Sequence, residues 1–406
     1  MRRTTKGRQL TDITRKPTCD TRGVADWLVS GARSASEPDQ VLAETCERLC
    51  AFGVPLWRAE VFVRTLHPDI AGRRFRWQVG RDVSISTGTY DPPATAESRK
   101  SLVERLCSDG IAIRRRLADA DCQMDFPILL ELHDEGATDL LASPLIFTDG
   151  DVHAALWITR QPGGFTDDQI AGIQAIVEPF ARVAEVRALR RTATNLLDTY
   201  VGSRTGKRIL AGQIRRGHSE TINAAIWLSD MRGFTALSDQ FSPRIMIDLL
   251  NRYFDCQVPV ILNYAGEVLN FMGDGLLAMF PIERVDETAQ ICDQVLAAAI
   301  ETRARVLSMP KLIEMEHLPP VRFGLALHLG EVLYGNIGGG NRLDFTCIGP
   351  AVNLAARLEK IAAQQERIIV TSAAFASHCQ FQLSDLGQFS VRGFGTPQTV
   401  FGLPDE

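Results

Sequence analysis

INAAIWLSDMRGFT, residues 222–235, is the stretch that decides the C-terminal architecture. Ile222 to Leu228 reads as a buried strand. It runs straight into Ser229-Asp230-Met231-Arg232-Gly233-Phe234-Thr235, where an acid meets a glycine-bearing turn and a helix start. That junction sets a carboxylate beside free backbone N–H groups, a natural place for a metal ion and phosphates. Downstream, Pro243 to Leu262 carries helical periodicity, and two apolar runs, Glu267 to Met272 and Leu276 to Phe280, flank Gly273-Asp274-Gly275. This is a tight hairpin signal with Asp274 at its tip. A lone GDG is an ordinary turn. Paired with Asp230, it predicts two carboxylates brought to one sheet edge by non-adjacent strands, a hard oxygen site suited to Mg²⁺.

A third block, Leu343 to Glu359, reads LDFTCIGPAVNLAARLE. Pro350 suits a helix N-terminus. Asn353 and Arg357 then fall at i and i+4 on one helix face, able to orient a ribose and hold a phosphoryl group. On their own, such residues are as readily solvated.

WLSDMRGFT, MGDGLLAMF and GPAVNLAARLE, in this order and at these separations, resemble the class III nucleotidyl cyclase catalytic domain. The likeness is closest to the bacterial adenylate cyclases with threonine in the base-reading position, and it covers about residues 220–404. It implies an α+β fold of the ferredoxin-like, palm type over residues 219–406 and conversion of ATP to 3′,5′-cyclic AMP and pyrophosphate. By the resemblance, Asp230 and Asp274 hold two Mg²⁺ or Mn²⁺ ions per active site, with the Met231 carbonyl as a further ligand. Backbone N–H groups of Gly233, Phe234 and Thr235 take the terminal phosphates. Asn353 orients the ribose, Arg357 stabilises charge on the α-phosphoryl group, Thr346 reads the purine edge and Arg392 contacts phosphate. One departure concerns the base: where adenylate cyclases usually carry lysine, this chain has Asn270. Asparagine both donates and accepts, so adenine stays readable without a charge-assisted bond.

The same resemblance implies a homodimer with two equivalent sites, in which Asp230, Asp274 and Asn270 face Thr346, Asn353 and Arg357 of the partner subunit. Two alternatives stay open: a guanylate or relaxed-specificity cyclase, and a catalytically weak nucleotide-binding regulator, which Asn270 alone favours. A diguanylate cyclase is excluded because the hairpin reads MGDGL rather than that family's Gly-Gly-Asp/Glu-Glu-Phe signature.

The N-terminal half is less explicit. Residues 1–22 form a basic tail, with six Lys or Arg in the first 20. Residues 23–180 read as a helix, antiparallel strands, a long irregular middle, a hairpin around Thr148-Asp149-Gly150 and a closing helix after FTDDQI. That layout resembles a GAF-type sensory domain, with an unknown small-molecule ligand or none; a domain used only for dimerisation is the alternative. Val186, Leu189, Ala193, Leu196 and Tyr200 recur at spacings of 3, 4, 3 and 4, a seam for a short coiled coil, which makes residues 181–218 a linker. Residues 182–216 hold nine Lys or Arg against two Asp or Glu, which we read as the wet face of that helix and its continuation.

The whole chain of 406 residues is long enough for two or three domains. Its formal charge of -5 argues against nucleic acid as a partner. No apolar run approaches the roughly 20 residues of a membrane span, and residues 1–12 lack a signal peptide's apolar core, so the expectation is a cytoplasmic protein. Nine scattered cysteines read as reduced core thiols rather than a zinc site, Cys46 and Cys50 included. His67, His133 and His153 are too isolated for haem or metal.

Overall fold

The computed structural model describes residues 20–68, 70–89, 101–309, 319–340 and 342–406. The chain divides into two compact units, Met1–Leu196 and Leu197–Glu406. The basic stretch before residue 20 lies outside the described residues.

The first unit contains α1 (Arg22–Val29), α2 (Pro38–Ala51), β1 (Arg58–Arg64), β2 (Gly72–Gln78), β3 (Arg81–Gly88), α3 (Leu102–Asp109), β4 (Ile113–Arg115), α4 (Pro127–Asp134), β5 (Asp139–Ile146), β6 (Val152–Thr159) and α5 (Asp167–Val201). Its sheet is antiparallel throughout, in the order β3-β2-β1-β6-β5-β4. Both faces are covered, and β6 shows why. Ala155 and Trp157 pack with Leu42, Leu49, Ile176 and Phe180 of α2 and α5. Ala154, Leu156 and Ile158 alternate onto the other face, against Leu106 of α3 and Leu129 and Leu132 of α4. The described residues of the expected irregular middle hold β3, α3, β4 and α4, and residues 90–100 lie outside the described residues. β3 is a mostly exposed edge strand, RDVSISTG, whose apolar alternation is limited to Val83 and Ile85, too short a stripe to reveal its period. α5 runs through Pro179 and stops at Val201, where Gly202 takes a left-handed φ of 85°.

The second unit contains α6 (Ser203–Leu210), β7 (Ser219–Met231), α7 (Phe234–Gln240), α8 (Pro243–Asn263), β8 (Glu267–Met272), β9 (Gly275–Ile282), α9 (Thr288–Leu307), β10 (Phe323–Gly339), β11 (Arg342–Ile348), α10 (Pro350–Gln364), β12 (Ile369–Ser372), α11 (Ala373–Ala376), β13 (Ser384–Phe389) and β14 (Gln398–Gly402). The sheet order is β13-β14-β12-β10-β7-β9-β8, with β11 on β10; only β10 and β12 run parallel. β7 is central, and its two sides serve different layers. Ala225 and Trp227 pack with Leu249 and Tyr253 of α8 and Val295 and Leu296 of α9. Ala224, Ile226 and Leu228 pack with Phe345 and Cys347 of β11 and Ala351 and Ala355 of α10. The strands bearing the two acids are not separated as expected from sequence. β7 and β9 are hydrogen-bonded neighbours, with Asp230 opposite Gly275.

Candidate active site

Asp230 is the penultimate residue of β7, and Asp274 sits on the turn between β8 and β9, where Gly273 adopts a φ of 66°. Gly275 lets these pieces approach: a Cβ there would lie 2.9 Å from Asp230 Oδ1 and 3.1 Å from the Ser229 carbonyl. Both acids are half-buried. Burial, and then the charge of Asp274, push the Asp230 carboxyl up to about 6, against the pull of the Met231 N–H and Lys360. Burial likewise raises Asp274. Two desolvated carboxylates repelling each other are a donor set that a divalent cation relieves, so the residues fit an Mg²⁺ or Mn²⁺ site. No cluster of three or more His, Cys, Asp or Glu suited to a metal occurs among the described residues. Carbonyl, hydroxyl, water or substrate oxygens would complete the shell around such an ion.

Sequence reading missed the residues behind this pair. Glu359, on α10, is raised by burial first and then by Asp230, with Arg232 and Lys360 opposing. Arg232 is itself half-buried and donates to the Arg367 carbonyl. Gly324 fits beneath them, since a Cβ there would meet Glu359 Oε1 at 2.6 Å. Nothing in the local sequence marks Glu359 or Lys360, because they reach Asp230 only through the packing of α10 on the sheet.

Gly233 takes a left-handed φ of 75° as the N-cap of α7, leaving Gly233 and Thr235 exposed while Phe234 packs on the core. The Arg232 N–H is spent on the Arg322 carbonyl at 2.8 Å.

Asn270 and Thr346 form a second group, and here the structure overturns the sequence expectation. Asn270 Nδ2 donates to Thr346 Oγ1 at 3.1 Å within one chain, rather than facing the threonine of the partner subunit. The cause is topological: β8 and β11 approach each other over the face built by Leu269, Tyr334 and Phe345. Three residues before Asn270, the buried Glu267 carboxylate accepts from Tyr334 Oη at 2.9 Å and from Thr205 Oγ1 at 2.9 Å, and also from the Thr205 N–H at 3.2 Å. This network ties α6 to β8, and only the folded chain reveals it.

Asn353 and Arg357 are exposed on one face of α10, and Arg392 is exposed on the loop between β13 and β14, at the sheet edge opposite β8. Among the described residues of one chain, no side-chain hydrogen bond or ion pair joins these three to either group.

Residues 218–403 match the family model described as "Adenylate and Guanylate cyclase catalytic domain". Adenylate cyclase 1 of Rhizobium meliloti (strain 1021) is 27% identical over 177 residues, covering 43% of this chain and 26% of that protein. Adenylate cyclase of Anabaena cylindrica is 29% identical over 154 residues, covering 37% of this chain and 30% of that protein. The chain thus spans under a third of the length of these relatives. Among solved structures, the adenylyl cyclase CyaB from P. aeruginosa is similar at 26% identity and a TM-score of 0.43, over 47% of this chain and 97% of that one. No helix among the described residues is long and apolar enough to cross a membrane. Residues 218–403 are a class III nucleotidyl cyclase catalytic domain, of the adenylate and guanylate cyclase family.

Proposed function

We propose that the chain is an adenylate cyclase acting as a homodimer on ATP. The observation that carries this reading is the pair of raised carboxylates, Asp230 and Asp274, meeting where β7 ends beside the β8–β9 turn. They, with the Met231 carbonyl, would hold two Mg²⁺ or Mn²⁺ ions, which when bound acidify the ribose 3′-hydroxyl and neutralise charge on the departing pyrophosphate. In the reaction a bond forms between the 3′-oxygen and the α-phosphorus, the bond to the β-phosphate oxygen breaks, and the 3′ proton is lost. Backbone N–H groups of Gly233, Phe234 and Thr235 cradle the terminal phosphates. Asn353 orients the ribose, and Arg357 and Arg392 bind phosphoryl charge.

The Asn270–Thr346 bond supports a revised division of labour. The base-reading pair belongs to one protomer together with its exposed Asn353 and Arg357, and the metal-binding acids come from the partner subunit. Val186, Leu189 and Tyr200, 63%, 59% and 79% exposed, support a helical seam that would hold the pair together. The helix-covered antiparallel sheet of the first unit supports a GAF-like regulatory domain.

With one amide N–H on Thr346, Asn270 offers a carbonyl acceptor and a second N–H, and Thr346 offers a hydroxyl donor. Adenine supplies the matching amino donor and ring-nitrogen acceptor. Guanine supplies one of each in reversed order, so the same bond favours a second reading, a cyclase of relaxed base choice. Purified protein with Mg²⁺ or Mn²⁺ and either ATP or GTP tests both, alongside Asp274→Ala. We expect ATP turnover that falls at least about 10²-fold in the variant with dimerisation retained. Unchanged turnover refutes the metal site; equal turnover of GTP selects the second reading.

A further inference from the structure

The first unit contains a cavity of about 330 Å³, bounded by β1, β2, β3, α2 and α5, within the size range of small-molecule sites. Its apolar wall is made by Val61, Val63, Phe75, Phe180 and Ala184. Its remaining wall is cationic, formed by Arg64, Arg73, Arg187, Arg190 and Arg191. Two acids, Glu37 and Asp39, also line it, at the start of α2, where Glu37 is engaged in a capping box with Gln40.

Five guanidiniums around one cavity repel one another. Arg73 and Arg187 are half-buried and Arg64, Arg190 and Arg191 exposed. Among the described residues none of the five forms a salt bridge, although most other buried or half-buried arginines of this unit do, such as Arg58 with Glu60 and Arg114 with Asp139. Arg187 spends one N–H on the Ala35 carbonyl at 2.9 Å. Arg73 has a buried Nε with no hydrogen-bond partner, and desolvation followed by the charge of Arg191 lowers its proton affinity. A buried donor without a partner destabilises the fold unless something supplies an acceptor. The sequence reading of these arginines as a solvated helix face holds for Arg190 and Arg191, which are exposed at the cavity mouth, and departs from the structure at Arg187, which is half-buried.

We propose that this cavity is the binding site for a small amphipathic organic anion, its carboxylate or phosphate held by the arginine cluster and its apolar body against Val61, Phe75 and Phe180. Arginine's planar fork matches either head group bidentately. Phe180, Ala184, Arg187, Arg191 and Thr194 follow spacings of 4, 3, 4 and 3 along α5. At about 100° per residue this stripe lies roughly opposite the one carrying Val186, Leu189, Ala193, Leu196 and Tyr200. The ligand thus occupies one side of α5 and leaves the exposed apolar seam on the other side uncovered. Contacts from β2 and α5 to one head group make ligand binding act directly on that helix.

Calorimetric titration of the 406-residue chain with octanoate, octyl phosphate and octanol tests the assignment without reference to catalysis. One site per chain is expected, with at least one of the two anions binding tenfold or more tighter than octanol; the anion preferred identifies the head group. The double variant Arg190→Gln/Arg191→Gln, at exposed positions, is expected to weaken that anion at least tenfold, and Arg73→Gln, with far-UV circular dichroism to verify folding, to do the same. Arg81→Gln, on the exposed edge strand away from the cavity, is expected to leave binding unchanged. Equal affinity for octanol, full binding by the Arg190/Arg191 variant, or no saturable binding of any probe overturns the proposal.

Discussion

Replacing Glu267 with alanine isolates the anchor that joins α6 to the base-side strand β8. Its carboxylate accepts from Tyr334 Oη, from Thr205 Oγ1 and from the Thr205 N–H, and all three residues are buried. The two hydroxyls have one proton each, and both are directed at the carboxylate. After truncation they can turn to one another, since Thr205 Oγ1 and Tyr334 Oη already lie 2.9 Å apart. The Thr205 N–H cannot be rescued in that way. An orphaned buried donor costs about 1–3 kcal/mol, and the lost charge-assisted bonds and side-chain packing bring the expected destabilisation to roughly 3 kcal/mol. Glu267→Gln keeps an acceptor for Thr205 and forces only the tyrosine hydroxyl to reverse, so about 1 kcal/mol is expected. Native-state hydrogen exchange on peptides spanning 267–282, in the 406-residue chain, reads the local opening free energy. Under the proposed function, the alanine variant also raises the KM for ATP, because Asn270 lies three residues along the same strand. Loss of less than about 0.5 kcal/mol in the alanine variant, or equal losses in both variants, refutes the assignment of Glu267 as the acceptor that fixes α6.

Three further outcomes follow from the active-site geometry. Gly275→Ala places a methyl group 2.9 Å from Asp230 Oδ1, so Mn²⁺ affinity measured by calorimetry is expected to fall at least tenfold while secondary structure by circular dichroism is retained. Asp230, held at about 6 in the metal-free protein, is protonated below that value and ionised above it. A cation needs the ionised form, so Mn²⁺ affinity should drop about tenfold per pH unit as pH falls below 6 and level off above it, with proton release on binding in the lower range. Asn270→Ala removes the bond to Thr346, worth about 1 kcal/mol, and is expected to narrow the ratio of kcat/KM between ATP and GTP by several-fold. A ratio unchanged by that substitution would falsify base reading through this pair.

Local chemistry made much of the catalytic unit legible. A buried strand ending in Ser-Asp, a Gly-Asp-Gly hairpin and a Pro-initiated helix are each written in short windows, and β7, the β8–β9 turn and α10 form where those windows place them. Gly233 and Gly273 are similarly legible, since positive φ is what the two turns require. The edge strand β3 was not, because it half-buries only Val83 and is otherwise exposed, too little apolar alternation to mark a strand.

Pairing across the sheet and the packing of α10 lay beyond the sequence by itself. Register placed Gly275 opposite Asp230 and made the two acid-bearing strands neighbours. Packing of α10 delivered Glu359 and Lys360 to Asp230, and the approach of β8 to β11 joined Asn270 to Thr346 inside one chain. The sequence by itself determined which residue types stand ready at strand ends, turns and helix starts, because backbone propensity and side-chain chemistry are local. Only the tertiary structure decided which of them meet, because desolvation, charge repulsion and hydrogen bonding act between residues that the chain separates and folding brings together.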